Sequence, residues 1–160
     1  MITVQEETFT LELAAEMEEL VRDFFAKTEA GSNRPPLDYN WEYYQTTYDL
    51  GMFVVYVARE EGRMLGFAMY TLVNHPHHKT VKFGYCELIG TRFSERGRGV
   101  GTALLDYAEN ALREEGVSRM IQGDRYYHGR TPIFEKRPGY VLVERFYVKV
   151  LDEPTSSSSS

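Results

Sequence analysis

Arg96-Gly97-Arg98-Gly99-Val100-Gly101 is the stretch on which the fold turns. Before it, residues 81–91 form a run rich in Val, Phe, Tyr and Ile that reads as a strand. Behind it, residues 102–115 read as a helix. Val100, Leu104, Leu105, Ala108, Ala111 and Leu112 fall on one stripe, and Gly116 closes the segment. Three glycines in six residues let the backbone approach a ligand closely. The first amides of the helix have no acceptor within it and carry the positive end of its dipole. A strand–loop–helix unit of this kind predicts an anion site, first of all for phosphate, and Arg96 and Arg98 add two full charges. The expected occupant is the pyrophosphate of a nucleotide-like cofactor.

Working outward, residues 2–7 alternate as an opening strand, and Thr10 is placed to cap a helix over 11–28. Residues 31–36, Gly-Ser-Asn-Arg-Pro-Pro, break the chain. Asn40 can cap a second helix over 41–50, closed by Gly51. Strands are predicted over 52–59 and 64–73, joined at Glu61-Gly62, with a loop at 75–79 before the strand that ends at Thr91. Downstream come a short strand over 119–122, a short helix around 131–136 and a last alternating strand over 140–150. Asp152-Glu153-Pro154-Thr155 and five serines form a tail without core-forming residues. These elements predict one α+β domain over residues 1–151 with a mixed, mostly antiparallel central sheet flanked by helices, followed by a disordered tail over 152–160.

A chain of 160 residues is long enough for one domain with a substantial core. Cys86 is the one cysteine, so no intrachain disulfide forms, in keeping with a reducing cytoplasm. No run is apolar enough to span a bilayer, and the N-terminal residues have no signal-peptide architecture. The net charge of −6 is uneven. Residues 1–78 carry five Lys/Arg against 13 Asp/Glu, a balance of −8, and residues 79–160 carry +2. Acidic helix faces alone can produce this, and so can a surface that attracts a cation. No broad basic surface argues for nucleic acid. His75, His77 and His78 lack the spaced further ligands that zinc requires, so no metal is expected.

The order of elements and the Arg96-x-x-Gly99-x-Gly101 loop resemble the GNAT N-acetyltransferase superfamily. A second match lies at Phe134-Glu135-Lys136-Arg137-Pro138-Gly139-Tyr140, which is similar to the family's Tyr-Glu-Lys-x-Gly-Phe segment with one residue inserted. The resemblance spans residues 3–151. A narrower likeness is to small phage-encoded members, on the region from Asp38 to Glu42 and the loop at 75–77. The resemblance implies transfer of an acetyl group from acetyl-CoA to an amine by direct attack. The acceptor is left open as a small molecule, a protein lysine or an N-terminus, and the protein as monomer or homodimer. The alternative is a CoA-binding regulatory or interaction module with little or no turnover.

The same resemblance assigns Gly97, Arg98, Gly99, Val100, Gly101 and Thr102 as backbone donors to the CoA pyrophosphate. Arg96 and Arg98 are candidates for the outer phosphates, one of them being expected to remain a solvated cation. Backbone groups at Ile89 and Thr91 would pair with the pantetheine arm as an added strand does. Glu87 is the expected general base, lying mid-strand on the face of Tyr85 and Ile89, where burial would raise its pKa; a structural ion pair or a water-facing position is the alternative. Asp38, Glu42 and His77 are candidate acceptor contacts, against readings as helix caps and an ordinary polar loop. Many family members protonate the departing thiolate with a tyrosine where this chain has Phe134, and phenylalanine has no proton to give. Tyr127, Tyr126 and Tyr140 are the nearby hydroxyls that could replace it.

Overall fold

The computed structural model describes residues 1–28, 37–123, 133–147 and 149–152. In chain order the elements are β1 (Thr3–Glu7), α1 (Leu11–Thr28), α2 (Trp41–Asp49), β2 (Phe53–Glu60), β3 (Arg63–His75), β4 (His78–Thr91), α3 (Val100–Glu114), β5 (Arg119–Ile121) and α4 (Ile133–Lys136). Both predicted caps form. The Leu13 amide donates to Thr10 Oγ1 at 3.1 Å, and the Tyr43 amide donates to Asn40 Oδ1 at 3.0 Å. The Glu61-Gly62 turn has positive φ at both residues, 50° and 80°. That is the twist a two-residue hairpin loop needs.

The five strands lie in sequence order. Pairing from β1 to β4 is antiparallel, and β5 runs parallel to β4 with α3 as the crossover. Helices cover both faces. On one, Met17, Leu20 and Val21 of α1 meet Phe53, Val55, Val57, Phe67 and Met69. On the other, Leu104, Ala108 and Leu112 of α3 meet Val54, Tyr56, Ala58, Ala68 and Tyr70. Strands β2 and β3 are therefore buried on both sides, which is why they read as continuous apolar runs. Each fully buried large side chain contributes about 1.5–3 kcal/mol. Arg59 clamps one corner: its guanidinium donates to Glu7 at 2.6 and 3.1 Å and to Glu16 at 2.7 and 3.0 Å, tying β2 to β1 and α1. No helix among the described residues is long and apolar enough to cross a membrane.

The chain end departs from its sequence pattern. The described residues of 140–150 pair with no strand, although the alternation predicts one. Val143, Phe146 and Tyr147 are 81–89 % exposed. The start of the segment is tied to α3 instead: Arg137 donates to Glu109 at 2.8 Å and Asp106 at 2.6 Å, Tyr140 OH donates to Glu109 at 3.1 Å, and Gly139 between them turns with φ 86°. Among the described residues β5 offers three residues as an edge. Strand propensity yields to such context. Beyond Asp152 the expected tail lies outside the described residues.

Candidate functional site

One extra residue in β4 shapes the site. Tyr70 pairs with Cys86 and Met69 with Leu88, so Glu87 is the unmatched residue of a β-bulge. Parallel pairing to β5 covers Phe83, Gly84 and Tyr85 and then stops. From Cys86 to Thr91 the outer edge of β4 has no strand beside it among the described residues, which leaves backbone groups to be satisfied from outside. This edge borders a cavity of about 790 Å³. Residues 86–91 form one wall, and Leu20, Val21, Phe24 and Phe25 of α1 form another. The loop at Arg96, Gly97 and Gly99–Thr102 also lines it, as do Gly123 and Phe134.

The loop has the geometry expected of an anion cradle. Gly97 and Gly99 take φ of 82° and 83°, and a Cβ on either would meet no atom within 4 Å. The backbone is therefore open to a ligand, and only glycine holds this conformation without strain. Ala103 N donates to Gly99 O at 3.0 Å, which begins the helical ladder. The amides of Val100, Gly101 and Thr102 ahead of it have no intrahelical acceptor. The Arg96 guanidinium lies over the rings of Phe93 (5.2 Å) and Phe24 (5.5 Å) and lines the cavity.

Arg98 behaves differently. It donates to Glu95 at 2.5 Å and to Glu60, at the end of β2, at 2.8 Å. Glu95 is 9 % exposed and lines the cavity, and it also accepts from Arg63 at 3.0 Å. The bond from Arg98 holds the Glu95 carboxyl below the usual carboxylate range. A lone carboxylate here would repel phosphate; two guanidiniums cancel it. Of the two arginines expected at the outer phosphates, Arg96 reaches the cavity wall and the side chain of Arg98 is committed to Glu95 and Glu60. Glu95 was not legible as a site residue, although its spacing of three before Arg98 was a signal.

Glu87 is placed by Thr71, whose Oγ1 donates to Glu87 Oε1 at 2.7 Å. It is exposed, not buried, and the bulge separates it from Ile89. Ile89 packs with Cys86 toward α3, whereas Leu88 packs toward α1. Both Glu87 and Ile89 still line the cavity, as do Thr91, Thr102 and Phe134. Asp38 and Glu42 are exposed around the start of α2, and His77 is exposed at the β3–β4 turn, with its amide donating to His75 Nδ1 at 3.1 Å. None of these three is among the cavity-lining residues. Tyr127 and Tyr126 lie outside the described residues. Tyr140 is engaged by Glu109. Burial pushes the Cys86 thiol up to about 12, and the same effect raises the Tyr70 hydroxyl, which accepts from Gln122 Nε2 at 2.7 Å.

A model of the acetyltransferase (GNAT) family matches residues 14–140. Among curated proteins none matches the chain by sequence. Solved structures share the fold. An aminoglycoside acetyltransferase from an uncultured soil metagenomic sample, in complex with sisomicin, superposes with a TM-score of 0.67 at 14% identity, covering 93% of this chain and 96% of its own. A predicted acetyltransferase of Clostridium acetobutylicum, solved with acetyl-CoA, gives 0.67 at 19% identity, covering 94% and 97%. Glucosamine-6-phosphate N-acetyltransferase from Arabidopsis thaliana gives 0.66 at 15%, covering 95% and 99%.

Proposed function

The chain belongs to the acetyltransferase (GNAT) family, and on that premise we propose that it transfers the acetyl group of acetyl-CoA to a primary amine by direct attack. The observation that carries this reading is the open β4 edge and the glycine loop lining one cavity, with only the short turn over residues 92–95 between them. Such an edge suits a pantetheine arm, whose amides pair with Ile89 and Thr91 as a strand would. The loop amides from Gly97 to Thr102 suit the pyrophosphate, with Arg96 beside them. Glu87 stands about 13 Å along the strand from Thr91, at the far end of the same wall.

In the reaction the amine nitrogen bonds to the thioester carbonyl carbon, the C–S bond breaks, and the amine gives up its proton. Glu87, held by Thr71 and exposed to water, is the group for that proton, directly or through a water molecule. A β4 amide near Ile89 is suited to the developing oxyanion. Cys86 stays protonated at neutral pH, so an acyl-cysteine route is disfavoured. Phe134, in the cavity wall, has no hydroxyl of its own to offer the leaving sulfur. A thiol pKa of about 8.5 lets it depart as thiolate.

Phe134 favours a second reading, a CoA-binding module with little turnover. Thiol release from acetyl-CoA across a panel of primary amines, run beside calorimetric titration of acetyl-CoA, separates the two: binding without release for any amine supports the module. Within the enzyme reading, Glu87→Gln lowers turnover by roughly 10²-fold while donor affinity stays within about twofold. Unchanged turnover from pH 6 to 9 removes Glu87 as the base.

A further inference from the structure

Before the cavity-lining stretch of residues 86–91, β4 carries a line of rings. Phe83 and Tyr85 are two residues apart and point to the α2 side, since Gly84 between them faces Leu112 and Val117. Their rings lie 6.0 Å apart, and His75 extends the line at 4.9 Å from Phe83. Tyr85 pairs with Thr71, the residue that orients Glu87, so the rings lead directly to that carboxylate. Across from it stands Tyr44 of α2, close enough for the charge on Glu87 to raise its hydroxyl pKa after burial has done so. All four rings are half-buried, unlike the closed core beneath them. Among the described residues, Thr71 is the hydrogen-bond partner of Glu87 and no ion pair engages it. Among the described residues, the strip therefore joins one carboxylate, Glu87, to an aromatic surface. Burial, with His78 and His77 beside it, lowers the pKa of His75.

A polyamine or an aminoglycoside presents several ammonium groups, and each would need its own carboxylate. A monoamine with a flat apolar body matches one carboxylate followed by rings, through edge and face contacts. We propose that the acceptor is a primary monoamine bearing an aryl group, with its amine at Glu87 and its ring on Tyr85 and Phe83. This rests on the acetyl-transfer reading above.

The test compares 2-phenylethylamine, n-butylamine, spermidine and kanamycin by thiol release at saturating acetyl-CoA. Phenylethylamine is expected to exceed butylamine in kcat/KM by roughly tenfold or more. In Tyr85→Leu and Phe83→Leu, which keep apolar volume so that the strand still folds, that ratio falls to roughly twofold, through KM rather than kcat. Equal rates for phenylethylamine and butylamine, or kanamycin or spermidine as the best acceptor, overturn the proposal. If acetyl-CoA binds and no amine releases thiol, the transferase reading fails. Saturation-transfer NMR of phenylethylamine then decides the strip alone. Saturation of its phenyl protons that disappears in Tyr85→Leu sustains the strip, and no saturation in the unmodified protein overturns it.

Discussion

Gly66→Ala adds a single methyl group at a point where β3, β4 and the start of α3 meet. A Cβ on Gly66 would stand 2.7 Å from Gly90 O, 2.9 Å from Val100 Cγ1 and 3.2 Å from Leu104 Cδ1. The carbonyl belongs to the β4 backbone and cannot rotate aside. Carbon and oxygen sit comfortably at about 3.3 Å or more, so the strand or the helix start must move by roughly 0.5 Å. Overpacking of this kind costs about 1–3 kcal/mol, and the lower entropy of the unfolded alanine chain offsets about 0.4–1 kcal/mol. The net loss of about 1–2 kcal/mol lowers Tm by roughly 2–8 °C for a chain of this size. Because Val100 opens α3, the displacement reaches the donor loop and weakens acetyl-CoA binding by roughly tenfold. Gly84→Ala is the control. Its Cβ would meet side-chain tips, Leu112 Cδ1 at 3.3 Å and Val117 Cγ1 at 3.4 Å, which can swing away. Thermal unfolding by circular dichroism and calorimetric titration of acetyl-CoA measure both effects. If Gly66→Ala melts and binds as the unmodified protein does, the idea that this glycine sets the helix start is wrong.

Two further outcomes follow from the charge pairs. Arg98→Ala uncovers the Glu95 carboxylate beside the proposed phosphate site, so acetyl-CoA binding is expected to weaken by roughly five- to tenfold. Adding Glu95→Gln recovers most of the loss, whereas a guanidinium acting directly on phosphate predicts no recovery; titration of the two single variants and the double variant decides. At the Arg59 corner, the hydrogen bond from Arg59 holds the Glu16 carboxyl below the usual carboxylate range. A depressed carboxylate contributes stability in full above its unfolded pKa and loses it as pH falls through the folded value. Tm therefore drops as the solution is acidified below about pH 4.3, the ordinary glutamate value. Arg59→Met lowers Tm at pH 7 by an amount corresponding to about 2 kcal/mol and flattens this acid dependence, which a series of melts from about pH 3 to 7 would check.

The loop from Arg96 to Gly101 was legible because positive φ demands glycine, and glycine is visible in a sequence. The helices were legible from caps at Thr10 and Asn40 and from apolar spacing. The bulge at Glu87 was not. Strict alternation along 81–91 puts Glu87 on the face of Ile89, and a bulge is a property of the pairing between two strands that one strand's pattern does not carry. For the same reason Arg98 read as a candidate phosphate ligand: its partner Glu60 sits 38 positions earlier, brought near by the β2–β3 and β3–β4 pairings. The alternation of 140–150 reported propensity truthfully. It said nothing of whether an edge would be free to receive the segment, or of Arg137 and Tyr140 holding its start against α3.

The Glu60–Arg98 contact gives the β2–β3 hairpin a use in engineering. Its two-residue turn is exposed, which is where a designer would splice an epitope or a fluorescent module. Glu60 is the last residue before that turn, and it grips Arg98 in the loop proposed to receive the donor. A module inserted between Glu61 and Gly62 is therefore mechanically in series with the donor loop. The position is a poor choice for a silent tag and a good one for a reporter whose signal follows donor binding.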